Sequence, residues 1–181
     1  VFNTAAALEL LQNWLLIHDD IEDGSDLRRG KPCLHHEYSI PLAINTGDAL
    51  HCKMWEMLHR NDEILGHKLA FQILREFTRL SNQVVEGQHI ELSWVGNNRW
   101  NLTEDDYWIM CVQKTAWYTC ITPCRLGALA AGAPTNDVDQ FIDIGMNLGV
   151  AFQIQDDVLN LIGEVGQYGK EIAGDISEGK R

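Results

Sequence analysis

The chain has 181 residues, 45% of them hydrophobic, and it carries 26 acidic and 14 basic side chains. This length and apolar content suit a single domain with a buried core, or most of one. The net charge of −12 argues against a nucleic-acid-binding protein, because phosphate backbones are bound by clustered Lys and Arg. No apolar run reaches the roughly 18 residues of a membrane-spanning helix, so we expect no transmembrane segment.

Helical periodicity dominates the chain, and we expect an all-α bundle of long helices, a fold in which facing helices can build a central site. The predicted helices cover residues 4–22, 41–60, 62–95, 103–131 and 136–162. Pro41 suits the first turn of the second helix, and Thr103 with Asp106 forms a capping-box pattern. The fourth helix must accommodate Pro123. Loops or turns are expected at residues 24–36, 96–102 and 163–174, and no alternation lasts long enough to predict a sheet.

Five cysteines occur without any Cys-x-x-Cys pair. An odd number of cysteines without a secretion signal indicates reduced thiols, so we expect a cytoplasmic protein. The irregular spacing of Cys and His argues against a zinc site.

Two acid clusters stand out, each at the end of a predicted helix and shortly before a glycine. Residues 19–23 read Asp-Asp-Ile-Glu-Asp, and residues 156–160 read Asp-Asp-Val-Leu-Asn. The negative end of the helix dipole disfavours each carboxylate there by a few tenths to about 1 kcal/mol, and neighbouring acids repel one another. Because the sequence accepts these costs twice, we expect both clusters to hold cations, with Mg²⁺ as the first candidate for oxygen ligands.

Within each cluster the spacing places oxygen ligands on one helix face. Asp19 and Asp23 lie four residues apart, about 6 Å along the axis. Asp156 and Asn160 repeat this spacing, and Gln153 lies one turn before Asp156. Two such faces could hold a metal-bridged anion between them. Acidic helix ends in contact with solvent are the alternative.

Basic residues are scarce, so their positions are informative. Arg28 and Arg29 follow the first acid cluster, Lys170 and Lys180 follow the second, and Lys114 lies in the middle of an apolar helix. Arginine forks suit phosphate oxygens, and lysine supplies a point charge. Acids and bases together therefore fit an anion that carries phosphate. Loop ion pairs for the arginines and a surface-directed Lys114 remain alternatives.

Four stretches of this sequence resemble the trans-isoprenyl diphosphate synthases, the polyprenyl synthetase family that includes farnesyl and geranylgeranyl diphosphate synthases. They read LLQNWLLIHDDIEDGSDLRRGKP, GQHIE, KT and FQIQDDVLN…GKEIAGDISEGKR. The resemblance covers nearly the whole chain and implies the all-α isoprenoid synthase fold around a deep central cavity. It also implies that residues 1–181 form part of the family domain, because the family's upstream basic segment and closing helices have no counterpart here.

The resemblance implies a short-chain prenyltransferase that uses Mg²⁺. The reaction would be the head-to-tail (1′-4) condensation of isopentenyl diphosphate with an allylic diphosphate, either dimethylallyl, geranyl or farnesyl diphosphate. The expected products are farnesyl or geranylgeranyl diphosphate, and the family leads us to expect a homodimer. A class I terpene cyclase and a non-catalytic subunit of a heteromeric prenyl synthase are the alternatives. The first is disfavoured because its second metal motif is of the NDxxSxxxE type.

The resemblance also implies roles for individual residues. The expected metal ligands are Asp19, Asp20, Asp23, Asp156, Asp157 and Asn160. The residues expected to bind substrate are Gln12, Arg28, Arg29, Gln88, Lys170 and Lys180, with Gln12 and Arg29 on isopentenyl diphosphate. The expected catalytic residues are Lys114 at the allylic diphosphate and Thr115 and Gln153 beside the allylic cation. Gln88, Glu91 and Asp175 match outer positions around the metals.

Product length is expected to depend on the helix that carries the first acid cluster. Trp14 and Leu15 lie five and four residues before Asp19, so Trp14 lies about 7.5 Å along the axis from it. The family walls its cavity with this helix, and a bulky residue at this depth is expected to stop growth at a farnesyl or geranylgeranyl product. Leu11 would be the next obstacle. Ordinary core packing of Trp14 is the alternative.

Overall fold

The computed structural model of the protein describes residues 1–164 and 172–180. In chain order its elements are α1 (Phe2–Asp23), β1 (Leu27–Arg28), β2 (Lys31–Pro32), α2 (Leu34–Glu37), α3 (Ile40–His59), α4 (Asn61–Leu65), α5 (His67–Gly96), α6 (Glu104–Cys111), a π-helix (Val112–Ile121), α7 (Thr122–Ala130), α8 (Thr135–Asp139), α9 (Phe141–Ile162) and α10 (Gly174–Glu178). The prediction of an all-α bundle is confirmed. Among the helices of the described residues, none combines the length and apolar character needed to cross a membrane.

Several predicted boundaries were wrong. The predicted helix 62–95 is divided into α4 and α5 at Gly66, whose φ of 79° ends a right-handed helix and is readily adopted only by glycine. The predicted helix 136–162 is divided into α8 and α9 at Gln140. The predicted loop 24–36 contains an antiparallel pair of two-residue strands, β1 and β2. Strands this short show no alternation that a sequence pattern could reveal.

Both acid clusters lie in the last turns of their helices, as predicted. The N–H of Gly24 closes α1 by donating to the carbonyl of Asp20. The N–H of Gly163 closes α9 by donating to the carbonyl of Leu159 at 2.8 Å. Neither last turn contains a basic residue, so the negative ends of both helix dipoles meet carboxylates.

The core joins α1, α3, α5 and the π-helix. Its fully buried members include Leu11 of α1, Phe77 of α5 and Ile121 of the π-helix. Leu11, expected to be a second obstacle along the cavity, lies in this core and does not line the cavity. Trp14 and Leu15 are partly buried and pack against the same core.

The π-helix explains how the fourth predicted helix accommodates proline. Pro123 has no N–H and cannot bond the carbonyl four residues back, that of Thr119. The chain is wound as a π-helix immediately before α7, whose first turn contains this proline. Pi-helical turns are rare and often occur at functional sites. This one carries Lys114 and Thr115.

Two glycines let the π-helix approach α5 and α9 closely. A Cβ added to Gly87 of α5 would lie 2.3 Å from the backbone nitrogen of Lys114. A Cβ added to Gly149 of α9 would lie 2.3 Å from the Cβ of Ala116. Neither position therefore tolerates a side chain without separating the helices. These contacts bring the polar residues of α5 and α9 to the two sides of Lys114 and Thr115.

Candidate active site

A cavity of about 660 Å³ is lined by α1, α5, the π-helix and α9. Binding sites for small molecules typically have volumes of about 300–1,000 Å³. The predicted site residues that line the cavity are Gln12, Trp14, Leu15, Asp19, Arg28, Arg29, Gln88, Lys114, Thr115, Gln153, Asp156, Asp157 and Lys180. Asp20, Asp23 and Asn160 do not line it. Lys170 lies outside the described residues.

Arg28 fixes the first acid cluster. The β-hairpin places Arg28 beside the end of α1, where its Nε donates to Asp20 at 2.8 Å and its Nη2 donates to Asp19 at 3.2 Å. Burial opposes the charge on Arg28, but its bonds to Asp20 and the nearby Asp19 outweigh this and raise the pKa of Arg28. Asp20 is only 4% exposed, so Arg28 supplies the charge that makes its burial tolerable.

Lys114 points at the acids and not towards the protein surface. Its ammonium contacts Asp19 at 3.2 Å and donates a hydrogen bond to Glu91. Burial disfavours the charged form, but Asp19 and Glu91 outweigh this effect and raise the pKa of Lys114. The alternative of a surface lysine is therefore wrong. Gln88 extends the network, since its amide donates to Glu22 at 2.7 Å and to Asp19 at 3.4 Å.

Lys180 brings the segment after α10 to the end of α1. Its ammonium lies 2.8 Å from Asp23, 3.1 Å from Asp175 and 2.9 Å from Glu178. Ser25 strengthens this junction by donating to Glu178 at 3.0 Å. Despite the ammonium, burial and the neighbouring Asp19 raise the pKa of Asp23 to about 6. This corner of the site therefore carries a negative charge that a further cation would stabilise.

The two aspartates of the second cluster have different surroundings. Asp157 accepts hydrogen bonds at both oxygens, from the hydroxyl of Tyr107 at 2.5 Å and from the amide of Gln153 at 2.8 Å. Asp156 also lines the cavity, but it makes no hydrogen bond or ion pair with any residue of the described part of the chain. Asp156 is therefore the carboxylate of α9 that is available to a cation.

Thr115 and Gln153 are brought together as expected. The hydroxyl of Thr115 donates to Oε1 of Gln153 at 2.6 Å. Tyr107, the other donor to Asp157, was not identified from the sequence. It lies seven residues, about two turns, before Lys114, and that spacing was the signal that could have found it. Burial and the bond to Asp157 raise the pKa of Tyr107, so its hydroxyl remains a donor.

Asn160 is buried beneath α10 and does not share the cavity-facing position of Asp156. Its side-chain oxygen accepts from the N–H of Asp175 at 3.3 Å, and its carbonyl accepts from the N–H of Ala173 at 2.7 Å. These contacts anchor the chain where it returns after α9. The role of Asn160 as a metal ligand stays a prediction, and its contacts favour an anchoring role.

The wall expected to limit product length consists of α1 with α3 behind it. Trp14 lines the cavity, and its ring stacks on His51 of α3 with centroids 4.1 Å apart. Leu15 and Leu16 lie beside it on the same wall. Trp14 therefore both packs against its neighbours and closes part of the cavity.

The donor set fits Mg²⁺ that is shared with a phosphate group. Within residues 1–164 and 172–180, no three His, Cys, Asp or Glu side chains form a group able to hold a metal. Asp19 of α1 and Asp156 of α9 instead line one cavity from different helices. Mg²⁺ is commonly bound by one or two carboxylates together with substrate phosphates. The unpartnered Asp156 and the raised pKa of Asp23 are consistent with such a site.

Comparison with known proteins identifies the class to which this fold and cavity belong. The polyprenyl synthetase family matches residues 1–181, and the chain belongs to that family. The predictions of the family and of the isoprenoid synthase fold are confirmed.

Individual relatives include prenyl diphosphate synthases of different product length. The chain is 38% identical over 180 residues to the geranylgeranyl diphosphate synthase of Sulfolobus acidocaldarius, covering 99% of this chain and 54% of that protein. It is 34% identical over 181 residues to the geranylfarnesyl diphosphate synthase of Natronomonas pharaonis, covering 100% of this chain and 52% of that protein. The chain thus spans about half the length of the curated relatives it matches.

A solved structure shares the fold over nearly the whole of this chain. The geranylgeranyl pyrophosphate synthase of Corynebacterium glutamicum, complexed with isoprenyl diphosphate and magnesium, matches with a TM-score of 0.90 and 30% sequence identity. The match covers 99% of this chain and 54% of that one.

Proposed function

We propose that the protein is a short-chain trans-prenyltransferase, which condenses isopentenyl diphosphate with an allylic diphosphate by 1′-4, head-to-tail addition. The observation that carries this proposal is one cavity with a charged end and an apolar wall. Acids from α1 and α9 and the bases Arg28, Arg29, Lys114 and Lys180 line the charged end. Trp14 and Leu15 belong to the apolar wall. These are the two environments that a prenyl diphosphate requires.

Bound Mg²⁺ would neutralise the diphosphate of the allylic substrate and so promote its departure from the allylic carbon. Asp19 and Asp156 would hold the metal from the two helices, with Asp23 beside them. The related Corynebacterium glutamicum structure is complexed with magnesium, which supports the choice of metal. Arg28, which contacts Asp19, can then exchange a carboxylate for phosphate oxygens, because it is an arginine fork that suits either anion.

Lys114 and Lys180 would make the same exchange as point charges. Each ammonium contacts acids of the first cluster, at 3.2 Å for Lys114–Asp19 and 2.8 Å for Lys180–Asp23. Because both pKa values are raised, both side chains remain cationic when the diphosphate arrives. Lys170 is proposed to join them on the strength of the family resemblance alone.

Isopentenyl diphosphate would bind at Gln12 and Arg29. Both line the cavity, and Arg29 is exposed and makes no ion pair with any described residue. Its guanidinium is therefore available to a second diphosphate, whereas Arg28 is engaged by two aspartates.

The oxygens of Thr115 and Gln153 would stabilise the allylic cation. They lie 2.6 Å apart on one side of the cavity, and oxygen dipoles held in advance favour developing positive charge. Apolar neighbours such as Leu15 keep water away. Once the allylic carbon–oxygen bond has broken and diphosphate has left, the double bond of isopentenyl diphosphate attacks the cation and forms the new carbon–carbon bond. The cationic adduct then loses a proton to an oxygen of the released diphosphate, which restores a double bond.

We propose farnesyl or geranylgeranyl diphosphate as the product, because Trp14 is braced by His51 where a growing chain would arrive. The family resemblance supports a homodimer and a longer domain of which residues 1–181 are part. All five cysteines are free thiols, which is consistent with the proposed cytoplasmic location.

The test uses the full-length protein with radiolabelled isopentenyl diphosphate, MgCl₂ and each of three allylic diphosphates: dimethylallyl, geranyl and farnesyl. The expected result is a labelled, longer prenyl diphosphate that is lost when EDTA replaces MgCl₂. Conversion of an allylic diphosphate to a hydrocarbon without incorporation of label would identify a terpene cyclase. Absence of turnover with every substrate would favour a non-catalytic subunit.

A further inference from the structure

Four side chains from α6, the π-helix and α9 form a continuous hydrogen-bonded chain beside the cavity. The hydroxyl of Tyr107 donates to Oδ2 of Asp157 at 2.5 Å. The amide of Gln153 donates to Oδ1 of the same carboxylate at 2.8 Å, and the hydroxyl of Thr115 donates to Oε1 of Gln153 at 2.6 Å. Each of these three groups therefore donates one hydrogen bond to the next, and both oxygens of Asp157 accept one.

The polarity of this chain determines which way the amide of Gln153 faces. An ionised carboxylate only accepts hydrogen bonds, so the NH₂ group of Gln153 must lie towards Asp157. The carbonyl oxygen of the amide is then directed to Thr115. If the amide turned over, its oxygen would face the carboxylate and its N–H groups would face Thr115 and the cavity.

Tyr107 keeps Asp157 in the position that this arrangement needs. The carboxylate lies on a cavity wall within a site rich in cations, namely Lys114, Lys180 and the arginines. Without the second hydrogen bond, one oxygen would lack a donor, and the carboxylate could turn towards those cations. Tyr107 itself also lines the cavity, but its polar atom is used by Asp157.

We propose that Tyr107 is a positioning residue, which acts through Asp157 to hold the carbonyl oxygen of Gln153 towards Thr115 and the reacting allylic carbon. The inference rests on the proposed prenyltransferase function. It divides the second acid cluster into Asp156, which is available to a cation, and Asp157, which orients an amide dipole. Tyr107 thereby affects the ionisation step without a contact of its own to either diphosphate.

The first experiment compares Tyr107→Phe with the wild-type full-length enzyme by steady-state kinetics. The variant keeps the ring and loses one oxygen. We expect kcat to fall about tenfold, as for the loss of one hydrogen bond that supports the transition state. The KM values for both diphosphates and the Mg²⁺ concentration for half-maximal activity should stay within about twofold of wild type. Tyr38→Phe is the matched control, because it removes the same atom from a side chain that is 64% exposed.

A second measurement needs neither substrate nor metal. In protein labelled with ¹⁵N-glutamine, the side-chain amide signal of Gln153 is assigned by its disappearance in Gln153→Glu. This signal should shift in Tyr107→Phe and in Asp157→Asn, and it should not move in Tyr38→Phe. If Tyr107→Phe fails to fold, an unchanged Gln153 signal in Asp157→Asn still overturns the inference, because the amide would then not be held by that carboxylate.

The outcomes separate this inference from the proposed function. An active wild-type enzyme with unchanged kcat in Tyr107→Phe overturns the positioning role, and so does a variant whose KM values change as much as kcat. An unchanged Gln153 signal in Tyr107→Phe and Asp157→Asn also overturns it. A wild-type protein that forms no prenyl diphosphate overturns the proposed function instead, while the amide signal still reports whether the hydrogen-bonded chain exists.

Discussion

The acid clusters at the ends of α1 and α9 have nearly the same spacing but different surroundings. In the first cluster, Asp19, Asp20 and Asp23 all contact basic side chains. In the second, Asp157 is held by the neutral donors Tyr107 and Gln153, and Asp156 has no partner among residues 1–164 and 172–180. An anion that entered the cavity would therefore compete for the basic partners of the first cluster, whereas Asp156 of the second has no partner among the described residues to give up.

In the proposed prenyltransferase, this difference would affect how each cluster stabilises the transition state. Groups that are fixed before the substrate arrives stabilise a transition state without reorganisation. In the proposed function, the ion pairs of the first cluster would keep its bases in place and charged until a phosphate competes for them. The two clusters are thus expected to respond differently to substitution.

The largest expected effect comes from removing a carboxylate that faces the cavity. Asp19→Ala and Asp156→Ala should each lower kcat/KM by about 10³-fold or more in the full-length enzyme, because each loses a group that holds charge at the leaving diphosphate. Asp62→Ala, at a carboxylate of α4 that is 58% exposed, is the control. Turnover close to wild type in either cavity variant would contradict the proposed roles.

A smaller effect, on the dependence of activity on Mg²⁺, is expected when the two aspartates of the second cluster are substituted separately. Asp156→Asn should raise the Mg²⁺ concentration for half-maximal activity by at least about tenfold, since a carboxylate is replaced by a neutral ligand. Asp157→Asn should change that concentration by less than about twofold, because Asp157 is engaged by protein donors. Magnesium titrations of both variants measure the difference, and equal shifts would show that the two aspartates share one role.

The two arginines beside the first cluster are expected to bind different diphosphates. Arg28→Lys should raise the KM for the allylic diphosphate by about tenfold, and Arg29→Lys should do so for isopentenyl diphosphate, because lysine cannot form a bidentate fork. Arg28→Lys should also lower the melting temperature, since Asp20 is buried against Arg28. Arg29 is exposed, so its variant should melt like wild type. Equal effects on both KM values would reject this division.

Substitution of the apolar wall should change the product and leave both acid clusters unaffected. Trp14→Ala should shift the products to longer prenyl diphosphates, because it opens the wall in front of His51. Its Mg²⁺ dependence should remain that of wild type. The check is chromatography of the dephosphorylated products, with Trp100→Ala as the control at a tryptophan that is 71% exposed. Unchanged chain length would mean that Trp14 does not limit growth.

The smallest expected effect is a pH dependence of stability that arises from Asp23. Its pKa is raised from 3.8 to about 6 in the folded protein. Between these values the folded state retains a proton that the unfolded state has lost, so stability falls as pH rises through this window. On going from pH 5 to pH 7 without metal, wild type should lose a few degrees of melting temperature relative to Asp23→Asn.

Thermal unfolding of both proteins at several pH values measures the effect, and MgCl₂ with pyrophosphate should reduce it. Parallel curves for the two proteins would show that Asp23 does not titrate in this range.

The helices and the acid clusters could be predicted because their signals are local. Apolar periodicity identified the long helices, and glycines after the acids predicted where α1 and α9 end. The capping box at Thr103 and Asp106 is present, with both reciprocal hydrogen bonds. The motifs of the two acid clusters then pointed to the family, which the comparisons confirmed.

Features that depend on contacts between distant segments could not be predicted. Tyr107 is an ordinary helical residue until α9 brings Asp157 within 2.5 Å of it, 50 positions along the chain. Asn160 repeats the spacing of Asp156, yet the return of the chain at Ala173 covers it. The π-helix ends directly before the turn that contains Pro123 and packs against α5 and α9, and its altered winding leaves no periodic signal.

The contacts at Gly87 and Gly149 concern the spacing of the helices, which is distinct from the shape of the apolar wall of the cavity. They set the spacing of the π-helix from α5 and α9 by backbone approach, and no side chain of the apolar wall takes part in either contact. A substitution in the apolar wall, such as Trp14→Ala, is therefore expected to leave the backbone of Lys114 in place. In the proposed prenyltransferase, product length could thus change by single substitutions in the wall, whereas an alanine at either glycine is expected to reduce the formation of every product.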